Sequence, residues 1–424
     1  MKGRLKGLAL WMTVGFMAVL LTGMMVTRNL ATEGTYTQLR LFNEVLSLIR
    51  NSYVDEPKTD SLMKGAYEGL MTQLDPFSEY LTPEEYTELS TNLASATRGA
   101  PGSGVTAGRA NAGLRLIKKE GIVMVVSVMP GSDAQEKGVT PGDQLRRIGD
   151  TSTREMSLFH IESALSGAPG AKVAVSFARR EEPRKLDAEL TLREPAATAA
   201  TLDVVDPKEG IAVLRVTHFG AGASGEVATA LERAGTQRIK RLLIDLRGNA
   251  WGTVEEAAKS AGLFVGDIVI AHLDTREGKV GDLRTGRARA AWSGQVVILT
   301  DGSTAEAAEV FAAALHEGRG APVVGESSFG IGAQQDLIPL RNGGGIRLSV
   351  RKYVSSSGTS WHGVGLKPDK VIAVTTQGLK LPERQKEQLK QAIEYVRTAP
   401  APTAVPVATL SAVAEPATAV GGRD

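Results

Sequence analysis

Asp301-Gly302-Ser303-Thr304-Ala305-Glu306-Ala307-Ala308-Glu309-Val310-Phe311-Ala312-Ala313-Ala314-Leu315 follows directly on the apolar run Val296 to Thr300. A short aliphatic run, a turn of Asp, Gly and Ser, and then apolar residues at helical spacing read as strand, loop and helix. The same rhythm occurs upstream, in Ala212 to Val216, Ser224 to Ala234, Arg241 to Leu246 and Val254 to Val265. Strands alternating with helices in this way predict an α/β domain with a substantially parallel sheet. Downstream, Gly343-Gly344-Gly345 reads as a tight hairpin connection, because no helix with a following Lys/Ser motif begins there to cradle a phosphate.

Outward from this core, residues 102–194 alternate strand-like runs (Ile122 to Val128, Lys172 to Phe177, Leu186 to Leu192) with turns and one helical stretch, Ser157 to Leu165. Gly138 supplies a turn after a short helix, and Pro141-Gly142-Asp143 turns the chain into a strand around Leu145 to Ile148. The segment Pro130 to Asp150 is similar to the second half of a PDZ domain. That resemblance implies capture of an extended peptide by strand addition, with backbone N–H groups of a Gly-rich loop receiving the terminal carboxylate. Ala112, Gly113 and Leu114 best match the loop, and Leu158, Ile161 and Leu165 would line the facing helix. Asn111 and an insertion-like Arg109-Ala110 depart from the usual loop, so a fold kept only for packing stands beside the working groove.

Tyr36 to Tyr53, Asp60 to Leu74 and Pro83 to Leu93 carry helical spacing, with Asp60-Ser61 as an N-cap and Pro83 in a first turn. Lys2, Arg4 and Lys6 precede an uncharged apolar stretch, Gly7 to Val26, long enough to span a bilayer. The basic flank places the remainder outside the cytoplasm, whether the segment is an uncleaved anchor or a signal peptide. After Thr398 the chain turns to Ala, Pro, Thr and Val without periodicity, the composition of a disordered tail.

With 49 basic and 47 acidic residues among 424, net charge is +2 and nothing points to nucleic acid. The absence of cysteine excludes disulfides and a lipobox. No His-x-x-x-His pair occurs, and Glu255-Glu256 reads as a solvated helix face, so neither metal nor cofactor is expected.

Set beside Val324-Gly325-Glu326-Ser327-Ser328-Phe329-Gly330-Ile331-Gly332-Ala333-Gln334-Gln335, the opening stretch resembles the signature of the carboxyl-terminal processing peptidases, or tail-specific proteases. Asn51-Ser52-Tyr53-Val54-Asp55, Leu74-Asp75-Pro76-Phe77-Ser78-Glu79-Tyr80-Leu81 and Gly363-Val364-Gly365-Leu366-Lys367-Pro368-Asp369 match further wording of that family in order. The resemblance covers residues 40 to 375. Together with the apolar start and the tail composition, it implies an α+β multidomain chain: a cytoplasmic start and membrane anchor or signal segment over 1–28, a helical region over 29–100, a PDZ domain over 101–194, a ClpP/crotonase-like core over 195–380, a helix over 381–398 and a tail over 399–424. It also implies self-association, for which Pro382 to Val396 has suitable helical composition.

Aligned without a gap on Glu309, Phe311, Phe329, Gly330 and Gly332, the family's nucleophilic serine falls on Glu306 and its lysine base on Ile331. A Ser/Lys hydrolase needs a hydroxyl and a neutral amine in contact. Glu306 has no hydroxyl, Ile331 accepts no proton, and the chain has no lysine between Lys279 and Lys352. The oxyanion region is altered too: the expected Pro-Gly-Gly is Ala250-Trp251-Gly252, and an indole there would fill the vacated pocket. Asp245, Arg247, Asn249, Glu309 and Gln335 keep the family's scaffold, although Gln335 has lost the lysine it would orient. The expectation is a homologue without peptidase activity, binding protein C-termini as an envelope scaffold or as regulator of an active relative. The alternative is an endopeptidase with its nucleophile relocated to Ser303, Ser327 or Ser328 and served by His218, while capping serines and surface histidines, among them His316 and His362, explain the same residues without catalysis.

Overall fold

The computed structural model describes residues 36–96, 110–179, 185–194, 198–286, 290–374 and 381–399. The chain divides into two compact units, Met1–Gly69 and Leu70–Asp424. The expected membrane segment Gly7 to Val26 lies outside the described residues, as does the tail from 400 onward. Among the described residues no helix is long and apolar enough to cross a membrane.

The first unit contains helix α1 (residues 36–52) and most of α2 (Thr59–Thr72). The helix starts one residue before the expected cap: Ser61 N donates to Lys58 O, so Asp60 sits inside the first turn and favours it by charge.

In the second unit, β1 (Glu79–Leu81) leads into α3 (Pro83–Ala96). Thr82 Oγ1 accepts from Glu85 N at 3.3 Å while Glu85 Oε2 accepts from Thr82 N at 2.9 Å, a capping box that fixes where α3 begins. A module follows, made of β2 (Ala110–Asn111), β3 (Leu114–Lys119), β4 (Ile122–Val128), α4 (Asp133–Glu136), β5 (Gln144–Ile148), β6 (Thr151–Ser152), α5 (Leu158–Ala164), β7 (Ser166–Gly167), β8 (Lys172–Ala178) and β9 (Leu186–Thr191). Its sheet runs β3-β4-β5-β8-β9, with β6 on β5, and β2 pairs separately with β7. Leu116, Val125, Ile161, Phe177 and Leu190 fill its interior. The predicted Pro141-Gly142-Asp143 turn forms because buried Asp143 accepts Thr140 N at 2.8 Å and meets the Arg179 fork at 2.7 and 2.9 Å.

The core comprises β10 (Ala200–Asp206), β11 (Ile211–Val216), α6 (Ala223–Thr236), β12 (Arg241–Asp245), α7 (Val254–Val265), β13 (Val269–Thr275), β14 (Gly278–Arg284), β15 (Gln295–Thr300), α8 (Ala307–Arg319), β16 (Val323–Gly325), β17 (Ala333–Pro339), β18 (Gly345–Ser355), β19 (Lys370–Val371) and α9 (Leu381–Thr398). The main sheet has the order β10-β11-β12-β15-β16-β19 and is parallel apart from β10. Alternation along β12 explains its two covers: Leu242 and Ile244 face α6, α7 and α8, while Leu243 faces α9. Each such aliphatic side chain contributes about 1.5–3 kcal/mol by leaving water. The predicted hairpin at Gly343 to Gly345 joins β17 to β18, and a second sheet, β1-β18-β13-β14 with β17 on β18, ties β1 to the core.

Candidate functional site

Strands β11, β12, β15 and β16 run parallel, so the loops at their carboxyl ends gather along one edge, where parallel sheets collect their ligand sites. Glu306 lies there as the N-cap of α8 with φ 53° and ψ −113°. A non-glycine residue in that region is strained by about 1–3 kcal/mol, so its neighbours must hold it. Ala305 N donates to Asn249 O at 2.9 Å, Glu306 N to Glu309 Oε2 at 3.0 Å, and Val310 N to Glu306 O at 3.1 Å. The resulting sharp strand-to-helix elbow lifts the side chain clear of α8, as a nucleophile's would be.

The chemistry on this elbow is an ion pair. Glu306 Oε1 accepts from Arg115 of β3, and both side chains are largely buried. Burial pushes the Glu306 carboxyl up and the Arg115 guanidinium pulls it back down. Glu306 Oε2 and Arg115 Nε are buried with no hydrogen-bond partner among the described residues.

Ile331, 8% exposed, packs with Ile117, Val126, Ala250 and Ala305, and Phe77, Met124, Trp251 and Phe329 close over them. The indole of Trp251 thus belongs to an apolar plug where the base would stand. Gly252 has φ 111°, and a Cβ on it would lie 2.1 Å from the Phe219 carbonyl. Only glycine permits that approach, which is locked by Phe219 N to Trp251 O at 2.9 Å and Thr253 N to Phe219 O at 2.8 Å.

The scaffold residues hold backbone. Arg247 forks onto Asp245 at 2.9 and 2.8 Å and reaches Gln385 O and Gln388 Oε1 of α9 at 2.6 and 3.1 Å. Fully buried Glu309 accepts from Ser328 Oγ, Gly330 N, Ile331 N and Glu306 N at 2.5, 2.6, 2.8 and 3.0 Å. Burial pushes its carboxyl up to about 7 against the pull of those donors. Gln335 is not idle, contrary to expectation: its Nε2 donates to Phe77 O at 2.7 Å and fastens the segment before β1.

Of the three serines considered as substitutes, Ser328 has its hydroxyl tied up. Buried Ser328 accepts Leu366 N at 2.7 Å while donating to Glu309, and Ser303 N caps onto Asp301 Oδ1 at 3.0 Å. Ser327 is exposed. His218 Nδ1 accepts Gly220 N at 3.1 Å, and His316 Nδ1 lies 3.1 Å from Ala321 O. Burial holds His362 below its ordinary value. Among the described residues no cluster of potential metal ligands occurs.

The residues expected to form a peptide groove lie together in the module, between β3 and α5. Among the described residues β3 is an edge strand, paired only with β4. Ala112, Leu158, Ile161 and Leu165 are buried in the module's interior. Ala112 N already donates to Leu165 O at 3.0 Å, and Gly113 N to Asn111 Oδ1 at 2.8 Å. Asn111 therefore occupies a loop donor that a carboxylate would use.

The sequence reading missed Arg115 and Ser127. Ser127, fully buried in β4, donates to Gly248 O at 2.7 Å. The one available signal was that Arg115 and Ile117 alternate with Leu114 and Leu116, so that both faces of β3 carry residues fit for burial.

Residues 210–372 match the family model described as Peptidase family S41. The chain is 27% identical over 342 residues to the carboxy-terminal processing protease CtpA of Bacillus subtilis, covering 80% of this chain and 70% of that one. It is 29% identical over 329 residues to a carboxyl-terminal-processing protease of Synechocystis, covering 77% and 74%. Residues 210–372 of this chain belong to peptidase family S41. The S41 core and its flanking parts also share a fold with a photosystem II D1 C-terminal processing protease, at TM-score 0.60, 21% identity and coverage of 82% and 96%.

Proposed function

We propose that this S41 homologue does not cleave peptides, and that its module, read as a PDZ domain, holds protein C-termini at the cell envelope. One observation carries the first half: the nucleophile position is a carboxylate ion-paired with Arg115, and the base position is an isoleucine inside an apolar plug. A carboxylate is a weak nucleophile toward amides, and an alkyl chain takes no proton. The second half is supported by the edge strand β3 facing α5, the arrangement that strand addition requires. Placement at the envelope rests on Lys2, Arg4 and Lys6 before Gly7 to Val26. The ligand is a protein C-terminus, and an active relative or a second copy of this chain is the partner such a role would serve.

The test incubates the full-length protein with a mixture of unstructured peptides bearing free C-termini, reading fragments by mass spectrometry and binding by fluorescence anisotropy. Retention of peptides with apolar C-termini, loss of binding on amidation, and no fragments are expected. Fragments abolished by Ser303→Ala, Ser327→Ala or Ser328→Ala would establish a relocated nucleophile instead. Neither binding nor cleavage would leave a purely structural role.

A further inference from the structure

Glu306 does more than displace a hydroxyl. Its side chain carries a carboxylate two bonds further out than a serine oxygen, and from the strained elbow it reaches β3 of the module. We propose that Glu306 and Arg115 form a latch that fixes the 110–194 module onto the core, so that the vacated nucleophile position has become a structural joint.

The surroundings suit that role. The pair sits in a seam where its side chains are 17% and 16% exposed, so its attraction is screened far less than at the surface. On one side lies the apolar plug, to which the module gives Ile117, Val126 and Met124, and the core gives Ala250, Ala305 and Ile331. Beside it the fully buried hydroxyl of Ser127 bonds Gly248 O across the same seam. Glu306 Oε2 and Arg115 Nε have no hydrogen-bond partner among the described residues, so removing either residue leaves the other's buried charge without its hydrogen-bonded counter-ion.

The module is also held at α5, beside the pair. Arg347 of β18 lies 2.7 Å from Glu79 of β1 and 3.9 Å from Glu162 of α5. Phe159 of α5 packs with Leu81 and Leu89. These contacts keep the module attached when the latch is broken, so loosening should be local to β3 and β4. The inference stands whether or not the module takes a peptide, because its readout is independent of binding and cleavage.

Hydrogen exchange of the full-length protein tests it, comparing wild type with Glu306→Gln, Arg115→Gln and the charge swap Arg115→Glu/Glu306→Arg. Either single change should speed exchange across residues 114–128 roughly tenfold, leave β11 and β12 protected, and be reversed in the swap. Unchanged exchange at 114–128, equal loss of protection in β11 and β12, or failure of the swap to restore protection would each overturn the latch. Arg115→Gln lies outside the elbow, so it tests the pair even where Glu306→Gln impairs folding.

Discussion

The carboxyl edge of the main sheet has two halves that differ in kind. Around Asp245, Arg247 and Glu309, side chains bind backbone: Arg247 ties the β12 loop to α9, and Glu309 gathers four donors from the elbow and the 328–331 loop. Around Glu306 and Ile331 the side chains meet another part of the chain, through one ion pair and an apolar plug, and polar atoms are left unanswered. The difference is between side chains that hold the elbow's backbone and side chains that join the module to the core. The strained φ of Glu306 persists because Glu309 and Asn249 impose it, not because a nucleophile sits there.

Breaking the first half should have the largest effect. Glu309→Ala orphans four buried donors and should lower unfolding free energy by about 4 kcal/mol in urea denaturation, with aggregation on expression as its severe form. Arg247→Met leaves buried Asp245 without its main partner and should cost about 3 kcal/mol. It should also free α9, read as early proteolytic trimming of residues 381–399.

Acid should sharpen the same contrast. Glu309, Glu306 and Glu79 all have carboxyls raised by burial, Glu309 to about 7. A carboxyl raised on folding holds its proton in the native state while the unfolded chain has released it. Its contribution is therefore complete below the unfolded value near 4.5 and is lost as pH climbs toward about 7. Between these limits stability should decline by up to about 3 kcal/mol from Glu309. Subtracting the profile of Glu309→Gln should remove most of that slope, and a wild type that gains stability over this window would refute the assignment.

Smaller effects concern the second half. Asn111→Ala frees Gly113 N and should tighten binding of a peptide C-terminus roughly fivefold by anisotropy, on the order of 1 kcal/mol for one exchanged hydrogen bond. No gain would mean that the Asn111 contact does not compete with ligand.

Much of this was legible from local pattern. The period-2 runs of the module and the strand–helix rhythm of the core are carried by neighbouring residues, and α5, β4 and α9 fall within a residue or two of expectation. What was not legible depends on distance. Arg115 meets Glu306 across 191 positions and Gln335 meets Phe77 across 258, separations that neither propensity nor periodicity encodes. The β13–β14 hairpin escaped because Lys279, Asp282 and Arg284 blunt its apolar alternation, as suits an edge strand that must not pair further. Glu306 and Ile331 were visible only as departures from a family pattern, and nothing local to either residue signalled what it would touch.

The most direct measurement is reaction of the full-length protein with a serine-directed fluorophosphonate, read by intact mass. The account predicts no adduct under conditions that label an active S41 peptidase completely. A stoichiometric adduct mapped to Ser303, Ser327 or Ser328, and lost on mutation of that serine, would contradict it.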